Sequence, residues 1–248
     1  MPRRLGQHFL IRERTLARIA SAACPAPAGV ALEIGAGTGA LTRHLLDRAA
    51  RVIAVEIDDR LADRLAQRFA GDTRLEIVRE DIRELDLARW GAVAVAGNLP
   101  YYATSPIIER VLGLGALLER AVLLVQKEVA QRLTASPGGR DYGFLTVRTQ
   151  LLARVGMLFS VPPQAFRPPP KVDSAVVLLT PRTPSGGFDH AAFLEFAALC
   201  FQHKRKTLRN NLSGVYRREA LTDLGSARAE ELALPDLVAL FEKLRDTG

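Results

Sequence analysis

Short apolar runs alternate with stretches of helical periodicity through the first half of the chain, and this order constrains the fold most. The runs that predict strands are Val30–Ile34, Arg51–Glu56, Leu75–Val78, Ala92–Ala96 and Ala121–Gln126. The stretches that predict helices are Leu41–Arg48, the segment in which Leu61, Leu65 and Phe69 recur at i, i+4 and i+8, and Ile107–Leu112. Strands that alternate with helices predict an α/β fold with helices on both faces of a parallel sheet.

The pattern changes in the second half of the chain. Two further runs, Ala153–Val161 and Ala175–Leu179, predict strands, and the proline-rich segment between them can form neither a helix nor a central strand. Pro181–Gly187 is rich in turn residues and predicts a linker, after which all patterns are helical. We therefore expect a larger domain over residues 1–182 and a small all-helical domain over residues 183–248.

Charge is distributed unevenly along this basic chain, whose formal net charge is +7. Residues 56–86 carry ten acidic and six basic side chains, whereas residues 201–218 carry six Lys or Arg and no Asp or Glu. Helical periodicity over this basic run places Arg205 and Arg209 on one face. Such a cluster can contact the phosphates of a nucleic acid, and the alternative, which stays open here, is a solvated helix face without a ligand.

The cysteine content and the absence of long apolar runs favour a cytoplasmic protein. Cys24 and Cys200 are too few for a disulfide framework or a structural zinc site, which predicts reduced thiols. No run approaches the ~18 apolar residues of a membrane helix. Charged residues at 12–14 interrupt the apolar core that a signal peptide requires. We therefore expect no membrane partner.

A glycine-rich loop, Glu33-Ile-Gly-Ala-Gly-Thr-Gly39, follows the first predicted strand and opens a helix. Its third glycine comes one residue earlier than in the dinucleotide fingerprint G-x-G-x-x-G, which suits a nucleoside without a pyrophosphate. Glu56 ends the second strand, where a carboxylate accepts both ribose hydroxyls. Asp81 follows the third strand and can accept a hydrogen bond from an adenine amine. Each feature alone is typical of a turn, a cap or a surface charge; together they predict a nucleoside site at the carboxyl ends of the strands.

Asn98-Leu-Pro-Tyr101 follows the fourth predicted strand. The Asn98 amide and the backbone carbonyls near Pro100 can accept the protons of an exocyclic amine, and the Tyr101 ring can stack on a base. The alternative for the bare tetrapeptide is a simple turn. If the motif binds a base, we expect these residues to lie beside the nucleoside site.

Six segments together resemble the small-subunit (16S) ribosomal RNA adenine N6,N6-dimethyltransferase family. They are Gln7-His-Phe-Leu10, Glu33–Gly39, Asn98–Tyr101, Gln126-Lys-Glu-Val129, Phe166-Arg-Pro-Pro-Pro-Lys-Val-Asp-Ser174 and Lys204-Arg-Lys-Thr-Leu-Arg-Asn-Asn-Leu212. The resemblance runs from Gln7 to about Leu212. It implies a Rossmann-like class I S-adenosylmethionine-dependent methyltransferase sheet with a small C-terminal helical domain. The implied activity is dimethylation of two adjacent adenosines near the 3′ end of small-subunit rRNA, during late assembly of the 30S ribosomal subunit.

The resemblance also implies roles for particular residues. Those implied around S-adenosylmethionine are His8, Leu10, Gly35, Gly37, Glu56, Ile57, Asp81, Ile82 and Asn98. Those implied around the target adenine are Asn98, Leu99, Pro100, Tyr101 and Phe166. Those expected on RNA are Arg167, Lys171, Lys204, Arg205, Lys206 and Arg209.

Phe166 lies between two groups of prolines, so its backbone is stiff. We expect its ring and that of Tyr101 to hold a flipped adenine by its two faces. The alternative is that Phe166 packs inward as a core residue. The two arrangements differ in whether the ring is exposed to the site.

Position 8 departs from the family, which commonly has Asn where this chain has His8. The imidazole can donate to the cofactor carboxylate or simply pack over the mouth of the site. The four histidines and two cysteines form no ligand spacing, so we expect no metal. S-adenosylmethionine would leave as S-adenosylhomocysteine, and the enzyme would act as a monomer.

Two other functions remain open at this point. One is a large-subunit rRNA adenine N6-methyltransferase of the macrolide-resistance type, which favours Ile where this chain has Leu99. The other is a non-catalytic RNA-binding assembly or transcription factor on the same fold. The intact Asn98–Tyr101 motif argues against the second of these.

Overall fold

The computed structural model describes residues 7–183 and 187–245. Its strands are β1 (Phe9–Leu10), β2 (Ala28–Ile34), β3 (Ala49–Val55), β4 (Leu75–Val78), β5 (Val93–Asn98), β6 (Leu118–Gln126), β7 (Ala153–Val161), β8 (Phe166–Arg167) and β9 (Ser174–Pro181). Its helices are α1 (Glu13–Ala23), α2 (Ala40–Leu46), α3 (Asp59–Arg68), α4 (Thr104–Leu112), α5 (Lys127–Leu133), α6 (Phe144–Leu152), α7 (His190–Cys200), α8 (Leu208–Leu212) and α9 (Leu234–Arg245). Among these residues, no helix is both long and apolar enough to span a membrane.

Seven strands form one sheet in the order β4-β3-β2-β5-β6-β9-β7. Strands β4, β3, β2, β5 and β6 run parallel, as the alternation of strands and helices predicts. Strand β9 runs antiparallel between β6 and β7, so the expected parallel sheet is extended by two antiparallel strands. The strand order turns back between β2 and β5, which is the position where open α/β sheets bind ligands.

Both faces of the sheet are buried. One face carries Ala31, Val52 and Val122, which pack with α1 and α2 in one apolar cluster. Because successive side chains of a strand point to opposite faces, the buried Leu32 and Ile53 belong to the other face. This double coverage explains why these strands read as continuous apolar runs in the sequence.

Two compact units make up the chain. The first contains residues up to Ala130 together with Ala153–Thr183, and the second contains Gln131–Leu152 together with residues 187–245. The second unit has its own apolar core, to which Val147, Phe193 and Phe241 contribute. The domain boundary expected after residue 182 stays a prediction; the contacts additionally group Gln131–Leu152 with the C-terminal helices. Of the expected linker, residues 184–186 lie outside the described residues.

Candidate functional site

The glycine loop joins β2 to α2 through three glycines with positive φ angles. Gly35, Gly37 and Gly39 have φ values of 70°, 56° and 80°. A Cβ atom on Gly39 would lie 2.5 Å from Cε2 of Phe69 and 2.6 Å from Cδ1 of Leu65. Glycine is therefore required here both by the backbone conformation and by the close approach of α3.

Glu56 immediately follows β3 and is held in one orientation by two backbone amides. Its side chain is buried, with 4% of the residue exposed. Its Oε2 accepts a hydrogen bond of 2.8 Å from the N–H of Gly37, and its Oε1 accepts one of 2.9 Å from the N–H of Asp58. Because each carboxylate oxygen has two acceptor positions, both oxygens keep the capacity to accept a hydroxyl.

Asp81 lies beyond β4 and forms an ion pair with a residue two positions later. The Arg83 guanidinium donates to both carboxylate oxygens, at 3.0 Å from Nε and 2.5 Å from Nη2, and the Arg83 backbone N–H donates at 2.9 Å. These hydrogen bonds from Arg83 lower the pKa of Asp81. The group is therefore an ionised acceptor, part of whose capacity is already occupied.

The first unit contains a cleft at the carboxyl ends of β2, β3 and β5, which is where open α/β sheets bind ligands. Predicted site residues that line it are His8, Leu10, Gly35, Gly37, Glu56, Ile57, Asn98, Leu99, Pro100 and Tyr101. Asp81 and Ile82 line a smaller recess that shares Gly35, Glu56 and Ile57 with the cleft. The structure thus brings together the side chains that were expected to hold the cofactor.

The motif that begins at Asn98 is tied to the N-terminal motif. The Asn98 Nδ2 donates to the backbone carbonyl of His8 at 2.8 Å, which fixes Oδ1 as the acceptor end of this amide. The Tyr101 hydroxyl is hydrogen bonded to Ser174 Oγ at 2.8 Å. The rings of His8 and Tyr101 are stacked, with centroids 5.8 Å apart and an interplanar angle of 29°.

His8 uses one ring nitrogen to hold the loop that precedes β9. Its Nδ1 lies 2.8 Å from the carbonyl oxygen of Pro168, and because a carbonyl can only accept, Nδ1 carries the proton. In the neutral ring Nε2 is then an acceptor. The donor role expected for His8 toward a cofactor carboxylate would therefore require the doubly protonated imidazole.

Phe166 lies in the core of the first unit and is 3% exposed. It belongs to β8, which pairs antiparallel with β1 so that Leu10 faces Phe166 and Phe9 faces Arg167. This position favours the inward packing over the base-stacking role, which stays a prediction. Arg167 and Lys171 are exposed, as expected for residues that meet RNA.

The basic segment Lys204–Lys206 is a turn rather than a helix. The helix α8 begins only at Leu208, after Thr207, whose hydroxyl accepts a 3.4 Å hydrogen bond from the Asn210 N–H. The expectation that Arg205 and Arg209 share a helix face is therefore wrong, because this cap starts the helix between them. The three cations of the turn and Arg209 in α8 are all exposed, and Lys204 Nζ donates to the Arg140 carbonyl at 2.5 Å.

Sequence reasoning assigned no role to Glu33, which lines the cleft and is 1% exposed. Its Oε2 accepts a 2.5 Å hydrogen bond from the Thr42 hydroxyl. Burial raises the pKa of Glu33 to about 8. An acidic residue inside an apolar strand was the signal available in the sequence.

Over residues 7–183 and 187–245, no cluster of three or more His, Cys, Asp or Glu side chains is arranged to hold a metal ion. Cys24 and Cys200 are both buried free thiols. Burial raises the pKa of each of them. Neither thiol is therefore suited to act as a nucleophile.

Comparison with known proteins assigns the sequence to one family. It matches a family model described as ribosomal RNA adenine dimethylase over residues 2–243. It is 44% identical over 257 residues to ribosomal RNA small subunit methyltransferase A of Acidobacterium capsulatum, covering 98% of this chain and 91% of that protein. It is 40% identical to the protein of the same name from Thermotoga maritima, covering 99% and 86%.

Two solved structures are similar to this chain over nearly its whole length. A dimethyladenosine transferase from Plasmodium falciparum superposes with a TM-score of 0.85 and 28% identity, covering 97% of this chain and 98% of that one. The 23S rRNA methyltransferase ErmE superposes with a TM-score of 0.74 and 33% identity, covering 96% and 99%. The Rossmann-like methyltransferase fold expected from the sequence is confirmed by these two neighbours.

Proposed function

The chain belongs to the ribosomal RNA adenine dimethylase family, and from this premise we propose that it dimethylates the N6 amines of two adjacent adenosines near the 3′ end of small-subunit (16S) rRNA. S-adenosylmethionine is the proposed methyl donor. The observation that carries the proposal is that one cleft is lined both by Glu56, the carboxylate proposed to bind ribose, and by Asn98–Tyr101, the motif proposed to bind the amine.

The residues of the cleft fit S-adenosylmethionine. Glu56 is buried, its orientation is set by two backbone amides, and its oxygens can each accept one ribose hydroxyl. Asp81 and the apolar side chains of Ile57 and Ile82 line the recess proposed for the adenine ring. When bound, the cofactor supplies a methyl group activated by a positively charged sulfur and leaves as S-adenosylhomocysteine.

Two acceptors are proposed to hold the amine of the target adenine. One is Asn98 Oδ1, because Asn98 Nδ2 is engaged by the His8 carbonyl. The Pro100 carbonyl already accepts from the Ala103 N–H at 3.0 Å and the Thr104 hydroxyl at 3.3 Å, so the second acceptor is the Leu99 carbonyl. Two such acceptors draw the N6 lone pair away from the ring and favour a tetrahedral, more nucleophilic nitrogen.

The target base is proposed to leave its stack and to lie against Tyr101. The ring of Tyr101 is fixed by its hydrogen bond to Ser174 and by contact with His8, so it is oriented before the base arrives. Fixed groups of this kind cost no reorganisation when the reaction occurs. Because each adenosine receives two methyl groups, the same pocket must also accept the monomethylated amine.

Exposed basic side chains are proposed to hold the surrounding RNA. They are Arg167, Lys171, Lys204, Arg205, Lys206 and Arg209. Their charges would contact phosphates and position the RNA without reading its sequence. The protein is proposed to act as a cytoplasmic monomer on the assembling 30S subunit, without a metal ion.

The test is methylation of undermethylated small ribosomal subunits with labelled S-adenosylmethionine, followed by mapping of the label. We expect two methyl groups on each of two adjacent adenosines near the 3′ end of the rRNA. Label on large subunits instead would favour the alternative of a large-subunit rRNA methyltransferase, since ErmE, one of the structural neighbours, is a 23S rRNA methyltransferase. Binding to small subunits without any transfer would indicate an assembly factor.

A further inference from the structure

Tyr102 presents an aromatic ring to solvent at the border between the cleft and the adjoining recess. The residue is 62% exposed and lines both cavities. Among residues 7–183 and 187–245, it is the only aromatic side chain in the set of exposed large hydrophobics. An exposed ring at the edge of a binding cleft is available to a ligand, whereas scattered exposed aliphatic side chains need no such explanation.

The backbone that carries this ring is rigid. Tyr101–Ala103 form a single 3₁₀ turn, closed by the hydrogen bond from the Ala103 N–H to the Pro100 carbonyl. The next two residues, Ala103 and Thr104, are buried and anchor the turn in the protein. Because the turn is held on both sides, ordering Tyr102 on a ligand costs little backbone entropy.

Two other rings near the cleft, those of Tyr101 and Phe166, offer no exposed surface to a second base. Tyr101 is the ring proposed for the target adenine itself, and Phe166 is buried in the core. Arg83 lines the same recess as Tyr102, and its guanidinium is paired with the Asp81 carboxylate. The exposed ring is therefore the feature of this border that can hold a base, since aromatic side chains are the surfaces on which proteins stack the unpaired bases of nucleic acid.

We propose that Tyr102 is the stacking platform for the nucleotide next to the target adenosine. The inference rests on the proposed function, in which one of two adjacent adenosines enters the cleft. When that base leaves its stack, its neighbour loses a stacking partner, and an exposed ring at the mouth of the cleft replaces it. Tyr102 is thus a positioning residue for the RNA.

The experiment compares Tyr102→Ala, Tyr102→Leu and Tyr102→Phe with the wild-type protein, using undermethylated small ribosomal subunits and labelled S-adenosylmethionine. We expect Tyr102→Ala and Tyr102→Leu to raise the KM for subunits roughly tenfold, because stacking on the ring is lost. Tyr102→Phe keeps the ring and should stay within about twofold of wild type. Met157→Ala, which alters an exposed apolar side chain on β7, is the matched control and should leave KM unchanged.

Two further measurements separate RNA stacking from other roles. The Kd for S-adenosylmethionine, measured by calorimetry, should be the same for all four variants. A second test uses subunits whose rRNA carries uridine in place of one of the two adenosines. With these subunits Tyr102→Ala should raise the KM by a smaller factor, because uracil stacks weakly on an aromatic ring.

The proposal is overturned if Tyr102→Ala leaves the KM for subunits unchanged. It is also overturned if Tyr102→Ala raises the Kd for S-adenosylmethionine by the same factor as it raises the KM for subunits. Tyr102 would then cover the adenine of the cofactor. Failure of the wild-type protein to methylate small subunits would overturn the proposed function itself, and this is distinguishable because no variant is needed to observe it.

Discussion

The carboxylate of Glu56 accepts a hydrogen bond from the backbone N–H of Gly37 at 2.8 Å, and this contact joins the end of β3 to the glycine loop after β2. The loop and the carboxylate therefore position each other. A positive φ at Gly37 turns its N–H toward the carboxylate. Glu56 supports the loop that borders the cleft, in addition to its proposed role as a ligand for ribose.

Glu56→Ala should abolish tight binding of S-adenosylmethionine while the protein remains folded. Removal of a charged acceptor should weaken binding by roughly 1.5–3 kcal/mol. Calorimetry measures the Kd, and circular dichroism checks the fold. Asp59→Ala, at an exposed position of α3, is the control and should leave the Kd unaltered. Unchanged affinity in Glu56→Ala would remove this residue from the site.

Glu33 should make the free energy of unfolding depend on pH. Burial raises its pKa from 4.5 to about 8, so between these values the unfolded chain releases a proton that the folded protein retains. Stability contributed by the protonated group is therefore present below about pH 4.5 and is lost as pH rises toward 8. The loss should be on the order of a few kcal/mol.

The measurement for Glu33 is urea unfolding of the wild-type protein and of Glu33→Gln at about pH 5.5 and about pH 8.5. Glu33→Gln keeps the shape of the side chain without its ionisation, so its stability should fall less over this interval. The same pH dependence in both proteins would show that Glu33 does not titrate differently in the folded state.

Phe166→Ala should lower the free energy of unfolding by roughly 3–5 kcal/mol, because it removes a buried aromatic ring from the core. Arg167→Ala alters the exposed neighbour in the same short strand and should be close to neutral. Chemical denaturation measures both. Loss of methyl transfer in Phe166→Ala at unchanged stability would instead support the stacking role suggested by the sequence.

The basic turn should determine part of the salt dependence of RNA binding. Replacing both Arg205 and Lys206 by Gln should reduce the slope of log K against log salt by about two units at most, since each phosphate contact contributes less than one unit. The matched control is Arg60→Gln with Arg64→Gln, two exposed cations of α3 in the acidic part of the chain. Equal slopes in wild type and the Arg205/Lys206 variant would identify the turn as a solvated surface.

The strands of the seven-stranded sheet were predictable from the sequence to within a few residues. Leu75–Val78 and Ala153–Val161 have the same bounds as β4 and β7. The helix α1 was not predicted, because charged residues at its start obscure the apolar face that contains Leu16 and Ile19. The two-residue strands β1 and β8 exist only through their pairing across the fold, which no local pattern encodes.

Within the site, sequence reasoning predicted the location of a residue where that location follows from its place at a strand end. Glu56 and Asn98 are examples, and both line the cleft. It failed where the role depends on a partner distant in the sequence. The Pro168 carbonyl determines which nitrogen of His8 carries the proton, and the Thr207 cap decides where α8 begins.

The path of the chain through the two units has a consequence for how this protein can be divided. The chain leaves the first unit after Ala130, returns at Ala153 and leaves again after Thr183. Cutting after Thr183 would therefore not release an intact catalytic fragment, because α6 would lose the apolar partners of Val147. A minimal enzyme would require joining Ala130 to Ala153 as well. The second unit is thus built from an insertion, Gln131–Leu152, and a C-terminal segment, residues 187–245, which share one apolar core and depend on each other for it.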